Sequence, residues 1–246
     1  MNAEQIDQFQ MIKQKMTRTM LVYKFALHEL ETKVEILKEE FQMIHEYNPI
    51  ENSTSRLKSP ESIIRKLNRK GKNISVESLQ SNLKDIAGMR ITCSFISDIY
   101  RVYEMLNNQS DLNIIEVKDY IKNPKSNGYK SLHLIVEIPV FMSDRKEIVP
   151  VEVQIRTIAM DFWASLEHKI FYKYDQFVPE KLLKELKEAA DTAFALDQKM
   201  ERLHEEIKLI KDENETDNVD ELTKLIVKNE QLAKSTNLLD MISSMK

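Results

Sequence analysis

The sequence predicts an α+β fold in which a β-sheet core lies between two long helices. Near both ends of the chain, apolar residues recur at alternating steps of four and three, which is typical of helices that pack along one seam. Between these ends lie short β-branched runs, which are typical of strands. The composition agrees, because 42% hydrophobic residues support a core and only 3 glycines among 246 residues favour a helix-rich protein.

The first segment, residues 1–48, is predicted to be a helix that packs against another helix or oligomerises. Its seam consists of Met16, Met20, Tyr23, Leu27, Leu30, Val34, Leu37, Phe41 and Ile44. Pro49 ends the helix, because the residue before a proline disfavours helical backbone. Residues 48–59 are then predicted to be a polar connector.

The second segment, residues 49–178, is predicted to be the functional core, and it opens with a basic helix. Ser59 suits the N-cap, Pro60 the first helical position, and Gly71 the position just past the end. Seven basic residues and one acid lie between Arg56 and Lys72. A solvated basic face explains this pattern as well as a polyphosphate clamp does, in which arginine forks and lysine charges offset a triphosphate.

About four strands with intervening helices are predicted in the rest of the core. A short helix from Ser75 to about Lys84 is followed by strands at 87–95, 112–120, 134–140 and 151–157, with a helix at 97–107. The last strand alternates strictly, so Glu152, Gln154 and Arg156 share one face. A solvated face would give the same alternation.

A second basic segment, residues 118–133, joins two of these strands. Pro124 and the pair Asn127 and Gly128 predict a loop. Lysines are interleaved there with Tyr129, which suits a base stacked on the ring with its phosphates on the lysines. An ordinary hairpin loop would account for the segment equally well.

Two carboxylates, Asp85 and Glu152, lie near the ends of predicted strands. Two anionic substrates and a Mg²⁺ ion held by carboxylates would explain these acids together with the two basic segments. Oxygen ligands without thiolates favour Mg²⁺ over Zn²⁺.

Helical periodicity resumes at Asp161 and dominates the rest of the chain. Phe162, Trp163, Leu166 and Ile170 form a stripe that is predicted to be core. The third segment, residues 179–246, begins at Pro179 with a helix whose seam consists of Leu182, Leu186, Ala189, Ala193, Leu196, Met200, Leu203, Ile207 and Ile210. Residues 211–220 are predicted to be a charged linker, followed by a weak helix at 220–243.

Several classes of protein are disfavoured by the composition. Cys93 is the only cysteine, so a reducing, cytoplasmic setting is expected. The polar N-terminus argues against a signal peptide, and no apolar run approaches the length of a membrane span. A net charge of −4 argues against a nucleic-acid binder that uses its whole surface, although RNA contact through residues 56–72 stays open.

Four motifs, in order along the chain, resemble those of one family. They are Arg56-x-Lys58-Ser59-Pro60-x-Ser62-Ile63, Asp85-Ile86-Ala87-Gly88-x-Arg90, Lys122-Asn123-Pro124-Lys125-x-x-Gly128-Tyr129-Lys130-Ser131-Leu132-His133, and Glu152-Val153-Gln154-Ile155-Arg156-Thr157. The chain resembles the (p)ppGpp synthetase domain of RelA/SpoT homologues, and among these the small alarmone synthetases. Residues 48–51 slightly favour the RelP branch over RelQ.

The resemblance implies a nucleotidyltransferase-like fold with a mixed β-sheet, and transfer of pyrophosphate from ATP to the ribose 3′-OH of GTP or GDP, without hydrolase activity. It implies a homotetramer and Mg²⁺ held by Asp85 and Glu152, with Glu152 also the base for the 3′-OH. The implied ATP contacts are Arg56, Lys58, Ser62, Lys66, Arg69 and Arg90. The implied GTP or GDP contacts are Lys122, Lys125, Asn127, Tyr129, His133 and Gln154.

Two other functions compete with this interpretation. A nucleotidyltransferase that modifies a protein or RNA usually carries a Gly-Ser motif and paired acids on one strand, and the sequence contains neither. A helical scaffold or RNA-binding regulator with a degenerate core would not need Asp85 and Glu152, both of which are present.

Overall fold

The structure, a computed structural model, describes the backbone of residues 3–45, 47–171 and 178–243. Side chains are described for residues 11, 14–45, 47–170 and 178–211. The elements are α1 (Ala3–Ile44), β1 (Ile50–Leu57), α2 (Pro60–Arg69), α3 (Val76–Asn82), β2 (Ala87–Cys93), α4 (Ile96–Asn107), β3 (Asn113–Asp119), β4 (Leu132–Phe141), β5 (Lys146–Thr157), α5 (Ile158–Phe171) and α6 (Glu180–Ser243). The predicted α+β fold with long flanking helices is confirmed.

Five strands form one mixed sheet within the described part of the chain, in the order β1-β2-β5-β4-β3. The central pair, β2 and β5, is parallel, and the other neighbours are antiparallel. α4 connects β2 to β3, and β4 and β5 form a hairpin. The predicted sheet is therefore present, but with one strand more than expected.

The additional strand is β1, which lies where the sequence predicted a polar connector. Residues 50–57 carry almost no apolar side chains, and most of them are exposed. The strand exists because its backbone pairs with β2 along the edge of the sheet, from Ile50 opposite Cys93 to Leu57 opposite Ala87. Backbone pairing at an edge needs no hydrophobic alternation, so the sequence pattern did not indicate it.

One face of the sheet is buried under helices. The odd-numbered residues of β5, Val151, Val153 and Ile155, are fully buried, as the alternation predicted. Most of the predicted α1 seam is also buried, with Tyr23, Leu27, Leu30, Val34 and Phe41 in the interior. α1 contacts β1, β2, β4 and β5 and also the helix α3, so it packs mainly on the sheet rather than along another helix. Ile44, at the end of α1, is 73% exposed.

Two predictions about the helices after β5 are wrong. In the stripe on α5, Trp163 is buried, but Phe162, Leu166 and Ile170 are exposed. The predicted linker at 211–220 is also absent, because α6 is continuous from Glu180 to Ser243. Most of its predicted seam is exposed, including Leu182, Leu196, Met200, Leu203, Ile207 and Ile210.

The chain divides into two compact units, Met1–Gln198 and Lys199–Lys246. The first unit contains the sheet and its helices, and the second contains the remainder of α6. The segment boundaries at 48 and 178 stay a prediction. No helix among the described residues is long and apolar enough to cross a membrane.

Candidate functional site

The second face of the sheet carries a cross-strand row of polar residues. On β5, Glu152 pairs with Gly88 of β2, which in turn pairs with Arg56 of β1. One step further along, Gln154 pairs with Arg90 and with His133 of β4. Residues that pair across strands point to the same face of a sheet. The sheet therefore brings predicted residues from all four sequence motifs to neighbouring strands.

A cleft of about 190 Å³ lies over β1, β2 and β5. Its lining consists of Thr54, Ser55, Arg56, Gly88, Met89, Arg90, Glu152 and Gln154. Gly88 contributes no side chain, so the floor of the cleft is low between the arginines and the acid. Thr54 and Ser55 were not predicted as site residues, because the strand that carries them was not predicted.

Asp85 lies just before β2, and one of its carboxylate oxygens accepts hydrogen bonds from two lysines. Lys58 Nζ donates to its Oδ2 at 2.5 Å, and Lys66 donates to the same oxygen. Burial would raise the pKa of Asp85, but the hydrogen bonds and charges of the two lysines outweigh it and lower the pKa. The other oxygen, Oδ1, is buried and has no hydrogen-bond partner among the described residues. Burial lowers the pKa of Lys58 in turn, with Lys66 and Arg56 adding to this effect and Asp85 opposing it.

Glu152 lies where the cleft meets the side chains of β4. Its Oε2 accepts a hydrogen bond of 2.9 Å from Gln154 Nε2, and its Oε1 is 3.7 Å from His133 Nδ1. The carboxylate is 19% exposed, so it is sheltered but open to a ligand. Glu152 is thus positioned from two sides and has one oxygen without a short hydrogen bond.

His133 is held in its neutral form. Burial, together with the charges of Arg156, Lys125 and Lys118, lowers its pKa to about 3. Its Nε2 lies 2.7 Å from the Tyr129 hydroxyl, which also accepts a hydrogen bond of 2.6 Å from Arg156 Nη2. When the imidazole proton is on Nδ1, which faces Glu152, the hydroxyl donates to Nε2.

Tyr129 lies in the loop 120–131, which we call the acceptor loop. Gly128, just before it, has φ +89, and Asn127 Oδ1 accepts a hydrogen bond from the Tyr129 backbone N–H. Lys125 Nζ is 4.8 Å from the centre of the Tyr129 ring and 4.7 Å from that of Tyr120. Both rings are edge-on to His133. The loop therefore combines aromatic rings with a lysine, as its sequence predicted.

Some predicted residues lie at the margin of this arrangement. Ser62 belongs to the cap of α2, where its N–H and hydroxyl both contact Ser59 Oγ. Arg69 is exposed at the end of α2. Lys122 is 71% exposed and 3.7 Å from Asp119, and Asn127 donates to Glu167 at 3.3 Å. The structure does not bring these four side chains together with Glu152.

Sequence reasoning missed the importance of Arg156 and Asp161. Arg156 is 6% exposed and donates to Asp161 Oδ1 at 3.1 Å, to Gln154 Oε1 at 2.8 Å and to Tyr129. Its alternation with Glu152 and Gln154 was a signal that could have identified it. Asp161 gave no such signal, because its role depends on where α5 begins relative to the sheet.

A metal ion would need ligands from outside the protein as well as from it. Among the described residues, no group of three or more His, Cys, Asp or Glu side chains could hold one. The buried Asp85 Oδ1, which has no hydrogen-bond partner among the described residues, is nevertheless a carboxylate oxygen of the kind that a hard cation binds.

The fold and this face together place basic side chains on either side of one carboxylate, that of Glu152. The family described as the region found in RelA / SpoT proteins matches residues 55–177. The chain is 52% identical over 207 residues to the GTP pyrophosphokinase YwaC of Bacillus subtilis (strain 168), covering 84% of this chain and 99% of that relative. It is 37% identical over 190 residues to the GTP pyrophosphokinase YjbM of the same strain, covering 77% and 89%. The chain belongs to the RelA/SpoT family, with small alarmone synthetases among its close homologues.

Solved structures agree with this assignment. Small alarmone synthetase 2 from Bacillus subtilis has a TM-score of 0.71 at 54% identity, covering 77% of this chain and 98% of that one. Small alarmone synthetase 1 from the same organism, bound to its product pppGpp, has a TM-score of 0.73 at 37% identity, covering 78% and 98%. The RelP assignment stays a prediction.

Proposed function

We propose that this chain is a GTP pyrophosphokinase that transfers the β,γ-pyrophosphate of ATP to the ribose 3′-OH of GTP or GDP. The products are AMP and pppGpp or ppGpp, the alarmones of the stringent response. The observation that carries the proposal is the position of Glu152, between the arginine-lined cleft and the acceptor loop. The names of YwaC and YjbM support it.

Glu152 acts as the base in this reaction. Its carboxylate takes the proton of the 3′-OH, and the 3′-oxygen attacks the β-phosphorus of ATP. The bond between the β-phosphorus and the oxygen that bridges to the α-phosphorus breaks, and AMP leaves with that oxygen. Catalysis of such a transfer consists mainly of positioning and charge neutralisation, which suits a face rich in fixed cations.

ATP occupies the cleft over β1 and β2. Arg56 and Arg90 line it, and Lys58 and Lys66 lie beside it at Asp85. These cations offset the charge that develops on the pyrophosphate and on AMP. A solved structure of small alarmone synthetase 1 bound to AMPCPP, with a TM-score of 0.67 at 35% identity, supports a nucleotide site in this fold. Ser62 and Arg69 stay predicted contacts at the margin of the cleft.

The acceptor nucleotide binds at the acceptor loop. Its guanine stacks on Tyr129, and its phosphates lie toward Lys125 and His133, with Gln154 near the ribose. Neutral His133 donates from one nitrogen without adding charge beside Glu152, so the base stays free to accept a proton. Lys122 and Asn127 stay predicted acceptor contacts.

The residues at this site fit Mg²⁺. Asp85 offers a buried oxygen that has no partner in the described part of the chain, and Glu152 offers a second carboxylate. Mg²⁺ usually takes one or two carboxylates together with substrate phosphates. Held by Asp85 and Glu152, the ion would offset the negative charge of the ATP phosphates.

The enzyme is further proposed to be a cytoplasmic homotetramer that synthesises without hydrolysing. Exposed apolar residues on α5 and α6 support assembly into an oligomer. The proposed nucleotide substrates support a location in the cytoplasm. The sequence contains no adjacent His and Asp for a metal hydrolase. The exposed Arg69, Lys70 and Lys72 leave RNA contact as a secondary proposal.

The test is to incubate the purified chain with γ-labelled ATP, GTP or GDP, and Mg²⁺, and to separate the nucleotides. Label in a guanosine tetra- or pentaphosphate with an equal amount of AMP is the expected result. Glu152→Gln keeps the shape of the side chain but cannot accept the proton, so it should abolish synthesis without unfolding the protein. Turnover by that variant at the wild-type rate would refute the assignment of the base. No transfer by a folded wild-type protein would favour the scaffold or the RNA-binding function.

A further inference from the structure

One carboxylate in this structure serves two arginines. Asp161 lies in the first turn of α5, and its Oδ1 is 3.1 Å from Arg90 Nη1 and 3.1 Å from Arg156 Nη1. Arg90 belongs to β2 and Arg156 to β5, the two parallel strands at the centre of the sheet. Asp161 therefore fixes the ends of two side chains that rise from different strands.

The two arginines need such a carboxylate. Burial, together with the charge of Arg156, lowers the pKa of Arg90. One acid offsets only one of the two charges, so an excess positive charge remains at this point. The Nε atoms of both arginines are buried and have no hydrogen-bond partner among the described residues. The pair is held in place but not fully neutralised.

Each arginine lies at the proposed binding site of a different substrate. Arg90 lines the cleft in which ATP is proposed to bind. Arg156 donates to the Tyr129 hydroxyl at 2.6 Å and to Gln154 Oε1 at 2.8 Å, and Gln154 donates to the base. Asp161 contacts both arginines from α5, so it links them without belonging to either strand.

We propose that Asp161 is a positioning residue that sets the spacing between the ATP site and the acceptor site. It contacts no reacting atom and acts through Arg90 on one side and Arg156 on the other. This inference rests on the proposed function for its substrates, but not for the geometry. It predicts that loss of the Asp161 charge weakens the binding of both nucleotides, ATP and GDP.

The test compares Asp161→Asn with the wild-type protein by steady-state kinetics and by calorimetric binding of a non-hydrolysable ATP analogue and of GDP, each alone. We expect the KM and the dissociation constant for both nucleotides to rise roughly tenfold, because a charged hydrogen bond is replaced by a neutral one. The kcat should fall less than either affinity. Asp161→Glu, which keeps the charge, should recover part of both affinities.

A double variant separates positioning from general damage. In Arg90→Gln the ATP side no longer has a side chain for Asp161 to hold. Adding Asp161→Asn to Arg90→Gln should therefore leave the ATP affinity as it is in Arg90→Gln alone, while the affinity for GDP still falls. The inference would be overturned if the dissociation constant of only one nucleotide rose in the single variant Asp161→Asn. It would also be overturned if kcat fell in that variant while both affinities were unchanged.

The binding measurements distinguish this inference from the proposed function. If the wild-type protein binds both nucleotides but transfers nothing, the reaction is wrong, and the affinities of the Asp161 variants still decide the positioning role. If the folded wild-type protein binds neither nucleotide, both proposals are wrong.

Discussion

At the scale of single residues, the proposed site depends on keeping one histidine uncharged beside Glu152. Burial depresses the folded-state pKa of His133 from 6.5 to about 3, so between these values the unfolded chain binds a proton that the folded chain does not. Stability from this residue is therefore present above about pH 6.5 and is lost as the pH falls below it. Going from about pH 7.5 to about pH 5.5 should cost about 1 kcal/mol through His133 alone.

Denaturant unfolding at the two pH values measures this loss in the free energy of unfolding, with His133→Gln as the control. The glutamine does not titrate, so the wild-type protein should lose about 1 kcal/mol more than the variant over the same interval. Equal losses in the two proteins would mean that His133 titrates normally in the folded state.

The ring of Tyr129, rather than its hydroxyl, is expected to dominate acceptor binding. Tyr129→Leu removes the stacking surface, which is worth about 1–3 kcal/mol for a base on an aromatic ring, so the KM for GDP should rise roughly 10- to 100-fold. Tyr129→Phe keeps the ring and loses the hydroxyl, which contacts Arg156 and His133, so its KM should rise less. Initial rates at varied GDP and saturating ATP provide the measurement. If the two substitutions raise the KM equally, the hydrogen-bond network rather than stacking holds the acceptor.

The same residues mark what the sequence could predict of the site. Glu152, Gln154 and Arg156 were predicted to share a face because strand alternation is a local rule, and the structure places them together. The link from Arg156 to Asp161 could not be predicted, because it depends on the position of α5 relative to β5 and β2. The neutral state of His133 likewise follows from burial and from three cations far apart in sequence.

At the scale of elements, the acceptor loop is clamped against the first turns of α6. Lys130 is buried, with its Nζ 3.3 Å from Asp191 Oδ1 and 4.6 Å from the centre of the Phe194 ring. The Trp163 indole N–H of α5 donates to the Leu186 carbonyl at 3.1 Å. The position of the loop therefore depends on helix packing as well as on its own turns.

Gly128 is the point at which this clamp is tightest. An added Cβ would lie 2.6 Å from Ala190 Cβ, and the backbone already has φ +89. Gly128→Ala should therefore destabilise the protein and raise the KM for GDP, because the loop must move away from α6. Gly71→Ala is the matched control, since Gly71 has φ +63 but nothing within 4 Å of an added Cβ.

The control should cost about 1 kcal/mol for the left-handed backbone and leave the kinetics unchanged. Gly128→Ala should cost more than that by thermal or denaturant unfolding, and it alone should alter acceptor kinetics. If the two variants lose the same stability and both keep the wild-type KM, contact with α6 does not position the loop.

The helices and strands that could be predicted from the sequence are those with a regular pattern of buried apolar residues. β2, β4, β5 and α1 bury apolar residues at regular spacing and were found within a few residues of their ends. β1 was missed because its order comes from backbone pairing at the sheet edge. The break predicted at 211–220 rested on charge alone, and a run of charged residues is compatible with an exposed helix.

At the scale of the whole molecule, α5 presents an apolar face without a partner among the described residues. Ile158, Phe162, Leu166 and Ile170 recur every four residues and are 40% to 65% exposed. An apolar stripe of this kind on a folded protein marks an interaction surface. Because the chain is proposed to form a homotetramer, a second copy is the occupant that this proposal predicts.

The double variant Phe162→Ser with Ile170→Ser tests this surface. Removing two large apolar side chains from the interface should lower the assembly to fewer than four copies, because the burial that drives association is lost. Light scattering on a size-exclusion column measures the number of copies, and circular dichroism verifies that the helices remain. Phe141→Ser is the control, because Phe141 is 74% exposed at the end of β4, away from α5, and should leave the assembly intact. A double variant that still elutes as four copies would show that α5 does not hold the copies together, and an equal effect of Phe141→Ser would show that general loss of surface hydrophobicity is the cause.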